Sequence, residues 1–120
     1  MKIQGYTCIG DYYLADKIIP GKTWKEACEM KEEITLPNGK KVIARTLSKK
    51  ELETIPKQLR QVFTSYSTYW TSTKICTNYA WSVYYNGAFD DCLSANNIFD
   101  KNGVPIYDNV RLGFRNPFLD

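Results

Sequence analysis

Tyr79-Ala80-Trp81-Ser82-Val83-Tyr84-Tyr85-Asn86-Gly87-Ala88-Phe89 is the stretch that decides how this chain of 120 residues is read. Aromatic and β-branched residues dominate its first seven positions, which suits a pleated, half-buried surface. Asn86-Gly87 then supplies two residues that tolerate positive φ, the strongest short hairpin signal. The segment predicts a strand, a turn and a returning strand. A two-residue turn sets Tyr85 against Ala88, Val83 against Asp90 and Trp81 against Cys92; a three-residue turn sets Val83 against Asp91. Either register faces an inward valine with an aspartate, at a cost of ~1–3 kcal/mol if the carboxylate is unsatisfied. A bulge, a longer loop or a wet sheet face would each remove the conflict.

Downstream of the hairpin, Ser94 to Pro105 reads as loop, with Asn102-Gly103 as a further turn. Val110 to Phe114 is a last strand, stopped by Pro117. Upstream, Tyr69 to Thr73 is a strand, and the helical period lies before it. Ser48 and Glu51 form a capping box for a helix that buries Leu52 and Ile55. Pro56 interrupts the pattern, and Leu59, Val62 and Phe63 follow on a last helical turn. Asn38-Gly39 joins Thr35-Leu36 to Val42-Ile43-Ala44 as a hairpin. Thr23 and Glu26 form the earlier capping box, opening a helix with Trp24, Ala27 and Cys28 on its apolar side and fraying by Ile34. Ile3 to Ile9 and Tyr12 to Ile19 read as strands. The order predicts one α+β domain over residues 1–120, with two helices, a small twisted antiparallel sheet and long loops.

Charge and aromatics divide the chain in opposite senses. Residues 1–60 hold 12 of the 16 Lys+Arg and 8 of the 13 Asp+Glu, interleaved as on solvated helix faces rather than as a phosphate-binding stripe. Nucleic acid is therefore disfavoured as a partner. Residues 61–120 hold 13 of the 17 aromatics and seven of the eight asparagines, a composition that suits contact surfaces. The chain lacks histidine, which removes the usual general base and leaves no plausible zinc ligand set around Cys8, Cys28, Cys76 and Cys92. Asp90 and Asp91 are adjacent, so on a strand they point to opposite faces and cannot share a proton. The seven glycines are scattered and form no phosphate loop. These features predict a protein that is not an enzyme and has no cofactor. With no leader-like N-terminus, reduced and mostly buried thiols and a cytoplasmic location are expected, display on a phage particle or cell surface being the alternative. No apolar run reaches the ~18 residues of a membrane span.

Five segments resemble bacterial and phage C-type-lectin-like domains, the type found at the ends of collagen-like adhesins and in variable proteins of diversity-generating retroelements. Gly21 to Cys28 resembles the start of their first helix, and Arg45-Thr46-Leu47-Ser48-Lys49-Lys50-Glu51-Leu52 the start of their second, with Leu47 where the family usually has proline. Tyr69-Trp70-Thr71-Ser72-Thr73, Ala80 to Gly87 and Val110-Arg111-Leu112-Gly113-Phe114-Arg115 resemble their strands. The resemblance implies a C-type-lectin-like fold with Trp70, Trp81 and Val83 in the core and Arg111 tied to a backbone carbonyl or carboxylate. The motifs of calcium-dependent sugar binding are missing, which argues against a calcium-dependent glycan ligand. The disulfide to the last strand is excluded because no cysteine follows Cys92.

The outward candidates for partner binding are Ser82, Tyr84, Asn86, Phe89, Asn96, Asn97, Phe99 and Tyr107. The expected function is a binding module that meets a macromolecule, a protein rather than a glycan, through its aromatic and asparagine-rich half. The alternative is a small phage-type inhibitor or sequestering protein, which blocks a host enzyme or traps an anionic ligand. A chain running from Met1 to Asp120 as if complete favours that alternative.

Overall fold

Local signals place the two helices and then fail to extend them. The computed structural model describes residues 2–55, 68–85 and 91–119. Thr23 caps helix α1 (Trp24–Glu29): its hydroxyl accepts from the Glu26 amide at 3.1 Å, and the Glu26 carboxylate accepts from the Thr23 amide at 2.9 Å. Ser48 and Glu51 repeat the device at α2 (Lys49–Glu53), at 3.1 and 2.9 Å. Both boxes are where the sequence predicts them. The helices, however, run for only 6 and 5 residues.

Strands take the rest: β1 (Tyr6–Ile9), β2 (Tyr12–Ala15), β3 (Ile19–Thr23), β4 (Lys31–Thr35), β5 (Lys41–Thr46), β6 (Tyr69–Cys76), β7 (Tyr79–Tyr85), β8 (Asp91–Asn97), β9 (Tyr107–Val110) and β10 (Leu112–Arg115). They form two five-stranded sheets, ordered β1-β2-β10-β5-β4 and β3-β9-β6-β7-β8. Of the described residues, 53% are strand and 11% helix. The expectation of an α+β domain with two helices and a small sheet is thereby overturned: the described residues are mostly β, in two five-stranded sheets. The correction has a physical cause at Lys31–Thr35, where good helix formers continue α1. Helix propensity is worth only tenths of a kcal/mol per residue. The Asn38-Gly39 turn (Gly39 φ 87°) instead pairs Lys31 with Arg45 and Thr35 with Lys41, and Ile34 packs on the core.

The β7–β8 register resolves the conflict posed by the aspartates. Tyr85 faces Asp91, Val83 faces Leu93 and Tyr79 faces Asn97. This register, which matches neither the two-residue nor the three-residue alternative, puts the apolar Leu93 opposite Val83. The proposed Asn86-Gly87 turn itself lies outside the described residues, as do Leu59, Val62 and Phe63. The strand β8 replaces the expected loop from Ser94.

Two apolar clusters hold the sheets. One gathers Tyr6, Tyr13, Ala44, Trp70, Val110 and Phe114; the other gathers Leu14, Leu47, Leu52, Ile55, Tyr69 and Val83 beneath α2. Trp70 and Val83 are core as expected. Trp81 is not: it is half-buried, with the Lys49 ammonium 4.7 Å from its ring centroid. Arg111 is buried, and its guanidinium donates to the Ala15 carbonyl at 2.5 Å. Cys8, Cys28 and Cys76 are free thiols, but Cys8 and Cys76 are exposed rather than buried.

Glu51 yields a pH-dependence. The Arg45 guanidinium, bound to it at 2.7 and 2.8 Å, outweighs burial and holds its carboxyl down to about 2, with help from the Ser48 amide. A depressed carboxyl stabilises the fold fully above its ordinary value and loses that contribution as pH falls through the folded one. Melting temperature should therefore drop as pH falls from about 4.5 towards 2. Glu51→Gln should flatten that limb and cost ~1–2 kcal/mol at neutral pH, the scale of a cap plus a screened ion pair. Melts across that window check this, and an unaltered acid limb in the variant would refute it.

Candidate interaction surface

The β7–β8 hairpin is covered at one end and bare at the other. Residues directly opposite across an antiparallel pair share a face. On one such face, Val83 is buried under α2, Trp81 is half-buried opposite Ala95, and Tyr79 is exposed opposite Asn97. The chain then continues beyond β8 into a second hairpin. Phe99 bridges Pro105, the Ile106 amide donates to the Ile98 carbonyl at 2.9 Å, and the tip is tied by Asp100, whose carboxylate accepts from the amides of Asn102 and Val104. Asn102-Gly103 is a turn as predicted, with Gly103 at φ 77°.

Burial alternates strictly along this hairpin. Ile98 is buried and Asn96, Ile106 and Asp108 are half-buried, whereas Asn97, Phe99, Pro105 and Tyr107 are exposed. These four exposed positions carry no charge, and the exposed Lys101 lies beyond them at the tip. Tyr107 is 62% exposed, Val104 52%, Tyr79 43% and Phe99 38%. Single exposed apolar residues are ordinary, whereas contiguous exposed apolar patches mark interaction sites.

The structure sorts the eight candidate residues. Asn97, Phe99 and Tyr107 lie together on the exposed side of the hairpin, joined by Tyr79 opposite Asn97. Val104, exposed at the tip, pairs with Asp100 and falls on the other face. Ser82 is 2% exposed and leaves the set. It stands directly opposite Trp70 and next but one to the fully buried Ala80, so small residues on β7 make room for the indole of β6. The alternation that predicts an outward Ser82 assumes one wet face, and here the strand is buried on both. Asn96 turns inward, donating to Asp108 at 3.0 Å. Tyr84 lies in β7 opposite Cys92, while Asn86 and Phe89 lie outside the described residues.

Asp108 organises the floor beneath this surface. It accepts from the Thr68 hydroxyl at 2.8 Å, the Asn109 amide at 2.7 Å and Asn96, while Asn109 donates to the Thr68 carbonyl at 2.9 Å. Burial pushes the Asp108 carboxyl up, and these donors offset part of the rise. The network ties β8, β9 and the approach to β6 together, which fixes the backbone that presents Asn97 and Tyr107. Sequence reasoning misses Tyr79, because its exposure depends on how far along β7 the cover of α2 reaches. The composition of the segment was the available signal for the rest.

Among the described residues no helix is long and apolar enough to cross a membrane, and no group of three or more Cys, Asp or Glu side chains is placed to hold a metal. Comparison with family models, with curated proteins and with solved structures gives no match to this chain.

Proposed function

We propose that the protein is a non-catalytic binding module whose protein partner docks on the face of the second hairpin that carries Tyr79, Asn97, Phe99 and Tyr107. The observation that carries this reading is the grouping of three exposed aromatic residues with an exposed asparagine on one face of paired backbone. Protein interfaces lose charge and gain aromatic residues at their centres, and rigid tyrosines give contact area at low entropic cost. A few such residues dominate the binding energy. The charged front half is available to steer association without supplying most of the affinity.

The test is a binding titration against the partner captured from host extract and identified by mass spectrometry. Phe99→Ala and Tyr107→Ala should melt like the parent, because both side chains are exposed, and at least one should cost ~2 kcal/mol or more of binding. Reversals at Lys25 and Lys41 should change mainly the salt dependence of association. Loss of capture on the lysine reversals, with both aromatic variants binding normally, would replace this reading with an electrostatic one.

A further inference from the structure

A cleft lined mainly by the first sheet and the chain flanking its strands has the size and wall chemistry of a small-ligand site. Its volume is about 540 Å³, and its lining includes Tyr6, Ala15, Asp16, Glu32 and Leu112. Pockets for small molecules fall in the range of ~300–1,000 Å³ and combine apolar walls with a few convergent polar groups.

The cleft exists because the first sheet curls. Tyr6 lies on β1 and Glu32 on β4, the two edges of the sheet. In a flat sheet four strand spacings would part them by about 19 Å, beyond the reach of two side chains. Their side chains nevertheless meet, the Tyr6 hydroxyl donating to Glu32 Oε1 at 3.0 Å. The apolar floor between them comes from Ala15 on β2 and Leu112 on β10.

Among the described residues, no cation is bound directly to either carboxylate of the cleft. Glu32 is held through one oxygen by Tyr6, and Asp16 through one oxygen by the Thr7 hydroxyl at 2.6 Å. Both donors are uncharged, and each carboxylate keeps a second oxygen. Burial and the neighbouring Glu32 push the Tyr6 phenol up, so it remains a donor across the physiological range. Asp16 also lies within electrostatic reach of the buried Arg111, without an ion pair between them among the described contacts. Among the described residues Lys17 is the one cation of the lining, against two carboxylates, and its stem is long enough to carry its ammonium into water.

We infer that this cleft binds a small primary amine on an apolar body, with the ammonium between Glu32 and Asp16 and the body on Ala15 and Leu112. The ammonium would gain charge-assisted hydrogen bonds to carboxylates that are already oriented. The site is separate from the hairpin surface and stands whether or not that surface binds a protein.

The test is a pair of probes with like bodies and opposite charge, 2-phenylethylamine and 3-phenylpropionate, titrated against the full chain by amide NMR. The amine should give saturable shifts at Gly5, Ala15, Asp16 and Leu112, and the acid should bind at least about tenfold more weakly. Glu32→Gln, which keeps an acceptor for Tyr6, should weaken the amine by about tenfold with an unchanged melting temperature. Asp16→Asn provides a second variant should the first loosen β4. Equal binding of both probes, no saturable shift in the cleft, or full amine affinity in both variants would overturn the assignment.

Discussion

Trp70→Ala should cost ~3–5 kcal/mol, a large share of the stability of a domain of this size. Trp70 is 1% exposed, sits in the larger apolar cluster, and its indole donates to the Lys22 carbonyl at 2.9 Å. Truncation therefore empties a cavity the size of an indole and strands a carbonyl, two costs that add. Ser82 and Ala80 cannot fill the space, being small by necessity. Trp81→Ala should cost much less, ~1–2 kcal/mol, since the ring is half-buried and trades its contacts with Lys49 for water. Urea denaturation of both variants checks the pair. Equal losses would mean that the ring of Trp81 is as well packed as that of Trp70.

What the sequence makes legible here is local in origin. A capping box closes within four residues, so Thr23–Glu26 and Ser48–Glu51 could be read and are present. The Asn38-Gly39 and Asn102-Gly103 turns are equally local. Failures occur where partners far along the chain decide the outcome. Ser94-Ala95-Asn96-Asn97 has little strand preference of its own, yet β7 pairs with every one of these residues. Lys31-Glu32-Glu33 prefers helix, yet β5 claims it. Strand content was underestimated for this reason, since sheet pairing is non-local while propensity is weak.

The candidate surface was legible to the same degree. Uncharged, aromatic composition led to Asn97, Phe99 and Tyr107. It could not separate them from Ser82, whose burial depends on Trp70 across the strand pair, or from Asn96, whose amide is taken up by Asp108. The cleft had no signature at all. Tyr6 and Glu32 are 26 residues apart, and only the curl of the sheet brings them within bonding distance.

Gly113→Ala should destabilise the protein by ~3 kcal/mol, the upper end of what an added methyl costs in a filled core. Gly113 lies on β10, the central strand of the first sheet, between Leu14 on β2 and Arg45 on β5. A Cβ built there would stand 2.8 Å from Leu14 Cδ2, 2.9 Å from the Tyr13 carbonyl oxygen and 3.0 Å from Leu47 Cδ1. The leucines could rotate away, each abandoning a good rotamer. The Tyr13 carbonyl cannot move so cheaply, because it is backbone of the adjacent strand, and shifting it disturbs the pairing of β2 with β10. Glycine is therefore required here for space rather than for conformational freedom. Gly113→Val adds two further methyls against the same wall and should cost more than alanine, whereas Gly39→Ala, at a turn with nothing within 4 Å, should lose stability only through its positive φ. Denaturation of the three variants tests the account. If Gly113→Ala is as stable as the parent, the close approach of β10 to β2 is not a constraint on the fold.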